Sequence, residues 1–580
     1  MATKSQNGPM TAEATQVDFE VLSPRADVDP IVNIGLQPRL DTLDGKTIGL
    51  FTTFKGHWVL ILDEIGKQLK AIHPNLKLTS FRYGKDLNAY TQVAEVAKDS
   101  EVRPEFEKWL SGVDAVICAN ADAGSCTLYL TFNATLAELL GKPLVLTVDT
   151  KYVDLAQRSA ELRGVPNLRL VELNLSDLSC EPSIEDYVNK VIPAAVAGVL
   201  DKIEGALVSP LSSEEASPRK PSKALPRIVH QGSLSEINTF FYKCGWAYGM
   251  PIMPPTEEAV AEMLTGTDLP ADHVVAKVPP MLGKATVEKI AINAVMAGCL
   301  PTHLPVLIAA VEAMVDPRMW IEAYTCSVAS WAPLLIVNGP IRNEIAVNCK
   351  GGFMSPYYRA NAAIAHAFGL IVMNIAGISD GIEDKAIFGN EGRFGMCIGE
   401  NEEDNPWESL HRSQGMAKED NAVTLFWPNE RKLAMVATAG HVTDIVTAIC
   451  DTMEPGGFDP GCAVILCPET ARILHDGGFS RKDLIDYILE YARRPAAKMN
   501  LRWMSANKHA PKGMPLPLEP TRTVRKLFSA LHLPVIVAGR KLDCGVVMYT
   551  GGGDHGGPIT KKIATPRNWN VLVAKYAEFR

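Results

Sequence analysis

Residues 47–202 alternate regularly between strand-like and helix-like segments, and this alternation restricts the fold more than any other feature of the chain. Strands separated by helices indicate βαβ units and a parallel sheet with both faces covered. We therefore expect an α/β domain in this part of the chain. The predicted strands are residues 47–54, 77–81, 113–118, 143–148 and 168–173, and the predicted helices are residues 59–72, 87–98, 128–140, 153–162 and 184–202.

The 580 residues are too many for one hydrophobic core, so more than one domain is expected. Residues 1–45 are polar and predict a loosely held arm, and residues 46–203 form the α/β domain. Residues 204–228, rich in Ser, Pro, Glu and Lys, predict an exposed linker. Residues 229–580 predict a larger mixed α/β (α+β) domain whose topology the sequence leaves open.

Within the second domain, apolar segments and turn residues mark further elements. The predicted helices are residues 286–297, 304–314, 360–378 and 442–453, and the predicted strands are residues 333–337, 433–438, 462–466, 533–538 and 544–549.

Composition excludes several classes of protein. A hydrophobic fraction of 47% and a charged fraction of 21% are typical of a soluble globular protein. The net charge of −9 argues against a nucleic-acid partner. The longest apolar stretch, residues 360–378, is interrupted by Asn361, His366 and Asn374, so no membrane span is expected. Twelve scattered cysteines and no leader-like start predict a cytoplasmic protein with free thiols.

The segment Asn-Ala-Asp-Ala-Gly-Ser-Cys-Thr, residues 120–127, directly follows the strand predicted at 113–118. Ligands of open parallel sheets bind beyond the carboxyl ends of the strands. If a helix begins near Ser125, Cys126 lies in its first turn, where the helix dipole lowers a thiol pKa. The same backbone N–H groups can hold a carboxylate or phosphate. The residues alone are equally consistent with a small-residue turn whose cysteine only packs.

This loop resembles the signature of the UGSC family of (seleno)proteins, Gly-Asp-(Sec or Cys)-Gly-Ser-Cys-Thr after a hydrophobic strand. Asp122, Gly124, Ser125, Cys126 and Thr127 match the signature, whereas alanines occupy positions 121 and 123. The segments GWAYGMPIMPPTEE, ATVEKIAINAVMAGCLP, LIVNGPIR, YYRANAAIAHAF and NPWESLH, within residues 245–427, resemble the long companion domain of that family. The resemblance covers residues 47–175 and most of 230–580, and it implies a flavodoxin-like N-terminal domain.

The family is similar to the substrate-reducing subunits of the glycine and proline reductases, which implies thiol or selenol chemistry on a small substrate. In such reactions a chalcogenolate attacks and a neighbouring thiol resolves the adduct. Ala123 removes that neighbour from this loop. Either another cysteine resolves the adduct, with Cys118 nearest in sequence, or Cys126 acts alone. A third alternative is that position 123 was changed to trap a bound state.

Five further groups of residues are candidates for the site. Arg359, Asn361 and His366 begin an apolar helix-like run, and Arg359 and His366, seven residues apart, can share one face. Arginine can clamp a carboxylate and histidine can transfer a proton. A boundary arginine and a packed histidine are the alternative. Asn338 follows a predicted strand and either binds ligand or caps a neighbour.

The glycine-rich segment 551–557 contains Gly552, Gly553 and His555, which predict close backbone approach to a ligand and a proton donor or base, or else a plain loop. His57 follows the first predicted strand and is expected near the Cys126 loop, with an exposed loop histidine as the alternative. Glu408 and His411, three residues apart, are weak candidates for a metal site.

The expected function is an enzyme that uses Cys126 as a thiolate to cleave or reduce a carbon–heteroatom bond in a small carboxylate-bearing substrate. Asp122, Gly124, Ser125 and Thr127 would surround it. We expect no organic cofactor, leave a metal requirement open, and expect a thiol reductant and a homo-oligomer. The alternatives are a non-redox lyase or hydratase that uses loop N–H groups with histidines and carboxylates, and a binding protein without catalytic activity.

Overall fold

A computed structural model describes residues 17–52, 56–81, 102–119, 123–174, 186–218, 225–436, 441–453, 461–495, 523–525, 529–552 and 556–579. The strands are β1 (Phe19–Leu22), β2 (Thr47–Thr52), β3 (Lys77–Phe81), β4 (Ala115–Ala119), β5 (Leu144–Asp149), β6 (Leu170–Leu173), β7 (Ile228–Gly232), β8 (Val274–Val278), β9 (Gly283–Thr286), β10 (Leu334–Asn338), β11 (Met396–Gly399), β12 (Ala422–Phe426), β13 (Glu430–Val436), β14 (Cys462–Leu466), β15 (Arg493–Pro495), β16 (Thr523–Arg525), β17 (Val535–Val537), β18 (Gly545–Thr550) and β19 (Ile559–Lys562).

The helices are α1 (Gly56–Ile72), α2 (Val102–Ser111), α3 (Gly124–Leu139), α4 (Val153–Leu162), α5 (Ile192–Ala197), α6 (Leu200–Val208), α7 (Ser213–Ala216), α8 (Leu234–Lys243), α9 (Glu257–Leu264), α10 (Val287–Met296), α11 (Leu304–Met314), α12 (Ile321–Thr325), α13 (Ile341–Glu344), α14 (Arg359–Asn374), α15 (Leu410–Ser413), α16 (Val442–Thr452), α17 (Pro468–Asp476), α18 (Arg481–Tyr491) and α19 (Trp569–Lys575).

The N-terminal sheet confirms the predicted parallel α/β fold. Its strand order is β3-β2-β4-β5-β6, and every pair is parallel. This is the 2-1-3-4-5 order of flavodoxin-like folds. All residues of β4 and β5 are buried, as expected for strands that helices cover on both faces. One face packs against α1, α5 and α6 and the other against α2, α3 and α4. The predicted helix at 87–98 lies outside the described residues.

The N-terminal arm was predicted to be loosely held, and this is wrong for its described part. Strand β1 pairs antiparallel with β7 of the second region. Val21 and Leu22 are fully buried in the core of that region, and Leu36 and Leu43 enter the cores on the two faces of the parallel sheet. The overall polarity of the arm concealed these few apolar residues, whose burial fixes the segment.

The predicted linker also begins too early. Residues 204–208 complete α6, and Leu207 is fully buried against the parallel sheet. Helix α7 starts with a capping box at Ser212, and Glu215 forms an ion pair with Arg169, with Nε and Oε1 2.7 Å apart. Local composition therefore missed a short capped helix with an ion pair and one buried leucine, which tie residues 204–217 to the first region.

The second region has the mixed α/β architecture that was predicted. Two four-stranded sheets have the orders β11-β10-β12-β19 and β17-β14-β18-β13. In each, the first two strands are parallel and the remaining pairs are antiparallel. The sheets share one hydrophobic cluster. Strand β13 follows β12 in the chain but joins the other sheet, and β19 follows β18 in the same way, so the sheets exchange edge strands.

The two regions share a core. Leu128, Tyr129 and Leu155, from α3 and α4, are buried in the same cluster as α10, α11 and α14 of the second region. Ion pairs that connect the regions include Lys385 to Asp154 at 2.8 Å and Arg158 to Glu383 at 3.4 Å. Among the described helices, none is long and apolar enough to span a membrane.

Candidate functional site

Helix α3 begins at the carboxyl end of β4, where a ligand of a parallel sheet is expected. Ala123 is the N-cap residue, with extended backbone (φ −150°, ψ 151°) and no side-chain cap. Cys126 therefore occupies the third helical position, in the first turn. Its side chain is buried, with 3% exposure. The Thr127 hydroxyl donates to the Ala123 carbonyl at 2.9 Å, so this side chain binds the chain itself. Ser125 is buried beside it.

Helix α12 of the second region packs against this first turn. A Cβ atom at Gly124 would overlap with the carbonyl oxygen of Cys326 and lie 3.0 Å from its carbonyl carbon, so only glycine permits this approach. One turn along α3, the Tyr129 hydroxyl donates to Glu322 Oε2 at 3.5 Å. Both side chains are buried, as is Cys326. A second thiol, a phenol and a carboxylate are thus brought to the start of α3.

Burial controls the protonation of these groups. It raises the pKa of the fully buried Cys326 thiol, and the nearby carboxylates of Glu383, Glu322 and Asp384 raise it further. Burial is also the main reason that the pKa of Tyr129 is well above its usual value. Glu322 and both the Cys126 and Cys326 thiols are close enough to the Tyr129 phenol to contribute to this rise. Cys326 and Tyr129 are therefore protonated at neutral pH and can donate protons.

Cys118, the nearest cysteine in sequence to Cys126, is poorly placed as its partner. It lies within β4 and packs into the core between the sheet and α3. Burial raises the pKa of its thiol well above the usual value. The second cysteine near the loop is Cys326, 200 residues away in the chain.

A comparison with protein families concerns the same part of the chain. Residues 20–201 match the model of the UGSC family. This match supports the assignment of residues 20–201 to the UGSC family. The matched span includes most of β1, the whole parallel sheet and the Cys126 helix, and we refer to it as the UGSC domain. The relation to glycine and proline reductase subunits stays a resemblance.

Two further comparisons add little. No curated protein matches the chain. A solved structure of FerB, a flavoenzyme NAD(P)H:(acceptor) oxidoreductase from Paracoccus denitrificans, is 14% identical and covers 27% of this chain and 98% of its own, with a TM-score of 0.16. A TM-score this low supports no statement about fold or chemistry.

The glycine-rich segment contacts the same helix α12 that faces the UGSC domain. The Tyr324 hydroxyl donates to the Gly556 carbonyl at 2.7 Å. Gly551 and Gly552 have positive φ, and a Cβ at Gly552 would lie 2.6 Å from the Trp427 carbonyl oxygen. These two glycines are thus required by packing. Four other predicted groups, namely Asp122, the side chain of His57, Gly553 and His555, lie outside the described residues.

Arg359, Asn361 and His366 line one cavity of 530 Å³ in the second region. The Asn361 amide is fully used by the chain: Oδ1 accepts from Asn348 N–H, and Nδ2 donates to the carbonyls of Asn348, Phe353 and Cys397. Asn361 therefore holds the cavity wall in place, and the predicted ligand contact is not supported. Burial lowers the pKa of His366, so its ring is neutral near pH 7. Within the described residues, His366 Nε2 has no hydrogen-bond partner.

Asn338 lies at the carboxyl end of β10, in a buried polar network. Its Nδ2 donates to Glu400 Oε2 at 2.6 Å and Glu402 Oε1 at 3.1 Å. This supports the predicted alternative in which Asn338 satisfies neighbouring groups. His411 is fully buried beside the network, whereas Glu408 is exposed, so the weak metal pair is not formed. In the described parts of the chain, no group of three or more His, Cys, Asp or Glu is arranged to hold a metal ion.

The sequence suggested Cys126 as a candidate, but it did not indicate Tyr129, Glu322 and Cys326, which the structure places close together. The segment Glu322 to Cys326 places a carboxylate and a thiol one helical turn apart, which is a weak signal of their proximity. Nothing in the sequence indicated that this helix would face α3.

Proposed function

We propose that this protein is a thiol-dependent enzyme that cleaves or reduces a carbon–heteroatom bond in a small carboxylate-bearing substrate. Cys126 is the attacking group. The observation that carries the proposal is the packing of α12 against the first turn of α3, because it supplies a second thiol, Cys326, to a loop in which Ala123 has none. The N–H groups of the first turn of α3 would bind the substrate carboxylate.

The two thiols together supply the two electrons that a reduction of the substrate needs. The Cys126 thiolate attacks the substrate carbon, a sulfur–carbon bond forms, and the heteroatom leaves with the proton that Cys126 released. The Cys326 sulfur then attacks the Cys126 sulfur, forming a disulfide and breaking the sulfur–carbon bond. The carbon takes the proton that Cys326 gives up, through Glu322 or Tyr129. The substrate gains two electrons, and an external thiol reductant returns both cysteines to thiols.

The test has two arms. Oxidation with diamide followed by peptide mass spectrometry should yield a disulfide between Cys126 and Cys326. A panel of small carboxylates with C–N, C–S or C–O bonds, incubated with dithiothreitol, should show turnover that Cys126→Ser abolishes. Cys326→Ser should stop after one event, with a substrate-derived mass on the Cys126 peptide. Cys244→Ser, which removes an exposed thiol elsewhere, is the control.

A lyase or hydratase is the second candidate, and the buried pair of Glu322 and Tyr129 favours it, since a carboxylate and a phenol can move protons without thiol chemistry. Under that reading, Cys126→Ser keeps full turnover, whereas Glu322→Gln loses it. Full turnover by Cys126→Ser would exclude the thiol mechanism.

A further inference from the structure

The cavity in the second region has the size and lining of a small-molecule site. Its volume of 530 Å³ lies within the roughly 300–1,000 Å³ that is typical of ligand pockets. Apolar side chains dominate the walls, including Phe353, Met396 and Ile398. Flexible methionine side chains suit walls that adapt to an irregular apolar ligand.

A positive charge is available at the cavity. Arg359, the first residue of α14, is exposed and lines it. Its guanidinium donates to the carbonyl oxygens of Gly298, at 3.2 and 3.4 Å, and Phe579, at 3.4 Å. Within the described part of the chain it has no carboxylate partner, so its guanidinium is available to an acidic ligand. The first turn of α14 also lines the cavity, and the dipole of this long helix favours an anion there.

We infer that this cavity binds a small organic anion with an apolar body and one acidic group, such as an aryl or alkyl carboxylate. Arg359 binds the acid group at the mouth, and the apolar body enters between Phe353, Met396 and Ile398. The neutral His366 ring adds a polar group to the wall, and its Nε2 has no hydrogen-bond partner within the described residues. None of the residues that line this cavity belongs to the Cys126 helix, and the inference does not depend on the proposed thiol chemistry.

Calorimetric titration with three probes tests the ligand class. 4-Phenylbutyrate carries both the apolar body and the acid, 4-phenylbutanamide lacks the charge, and butyrate lacks the ring. We expect saturable binding of 4-phenylbutyrate and at least about tenfold weaker binding of the other two, because charge-assisted hydrogen bonds and aryl burial each exceed that factor. No saturable binding of 4-phenylbutyrate overturns the site, and equal affinity for the amide overturns its preference for anions.

Variants locate the site. Arg359→Gln should weaken 4-phenylbutyrate binding by about 10- to 100-fold, with little effect on the amide. Arg359→Lys, which keeps the charge, should fall between. Ala362→Phe fills the cavity from an exposed helical position and should abolish binding while leaving the melting temperature unchanged. Arg412→Gln removes an exposed arginine of α15 and should change nothing. Equal weakening by Arg412→Gln would place the site elsewhere.

Cys126→Ser separates this inference from the proposed function. Unchanged binding of 4-phenylbutyrate by this variant supports an independent site, whatever happens to turnover. Loss of binding in Cys126→Ser would show that the ligand occupies the thiol site, which overturns the inference.

Discussion

Replacement of Gly124 by alanine tests the contact on which the candidate site depends. The added Cβ would overlap with the backbone oxygen of Cys326 and lie 3.0 Å from both its carbonyl carbon and the Lys385 Cβ. Backbone atoms of two helices cannot rotate away, so α3 and α12 must separate. Overpacking of this kind costs about 1–3 kcal/mol. Loss of glycine from the unfolded chain returns about 0.4–1 kcal/mol, so we expect the free energy of unfolding to fall by about 1–2 kcal/mol.

Gly249→Ala is the matched control, because no heavy atom lies within 4 Å of a Cβ built at Gly249 and its φ is not positive. Both variants lose a glycine, but only Gly124→Ala meets a neighbour. Urea unfolding should show a lower midpoint for Gly124→Ala alone. Labelling of Cys126 and Cys326, which are 3% and 0% exposed, should be faster in the same variant. Equal stability of the two variants would refute the contact.

Three further predictions concern buried or ion-paired groups. Glu138→Gln should lower the free energy of unfolding by about 3 kcal/mol in urea titrations, because it leaves Arg39 charged, buried and without its carboxylate partner. Adding Arg39→Met to this variant should restore much of the lost stability. Burial lowers the pKa of His303 to about 3, so below pH 6.5 the histidine binds a proton in the unfolded chain but not in the folded one. The free energy of unfolding should therefore fall by about 1.4 kcal/mol per pH unit below 6.5, and His303→Asn should flatten this slope. Hydrogen bonds from Arg169 lower the pKa of Glu215 to about 2, so its contribution is present above pH 4.5 and lost towards pH 2, and Glu215→Gln should cost about 1 kcal/mol at pH 7.

Each of these has a defined contrary result. Wild-type stability of Glu138→Gln would mean that the pair is exposed to water. A slope between pH 6.5 and 5 that is unchanged in His303→Asn would assign the acid sensitivity to other groups. Glu258→Gln, on an exposed position of α9, serves as the charge-matched control for Glu215→Gln. An equal loss in both would remove the role of the Arg169 pair.

The parallel sheet was predictable because its information is local. Strands β4 and β5 are short apolar runs that a helix follows directly, and the observed bounds of α4 and β3 agree with the predicted ones residue for residue. The exchange of β13 and β19 between the sheets was not predictable. Strand β13 pairs with β18 and β19 pairs with β12, and in both cases the partner is distant in the sequence. The predictions for the arm and the linker were wrong because they relied on the average composition of these segments, which is polar. Burial of single residues such as Leu22 and Leu207 holds the segments in place.

In the candidate site, too, some residues were predictable from local sequence and others were not. The position of Cys126 follows from a strand, a turn and a helix start, all within a few residues. Its neighbours Glu322 and Cys326 depend on how two regions pack, which no local pattern encodes. Asn361 was misjudged because a conspicuous polar residue in an apolar helix can bind either a ligand or the chain. Three backbone carbonyl oxygens lie within hydrogen-bond distance of its Nδ2, so both of its N–H groups are satisfied by the protein itself.

The shared core predicts that the UGSC domain does not behave as an independent folding unit. A fragment ending at residue 218 would expose Leu128, Tyr129 and Leu155 and leave β1 without β7. At about 1.5–3 kcal/mol for each buried apolar side chain, the loss is comparable with the whole stability of a domain, about 5–15 kcal/mol. We expect this fragment to aggregate or to bind a hydrophobic dye strongly, whereas the full chain unfolds cooperatively. A monomeric fragment with a sharp urea transition would show that the region folds alone. If the fragment fails to fold, the Cys126 helix exists in its described form only when α12 covers it, and the chemistry of this site belongs to both regions together.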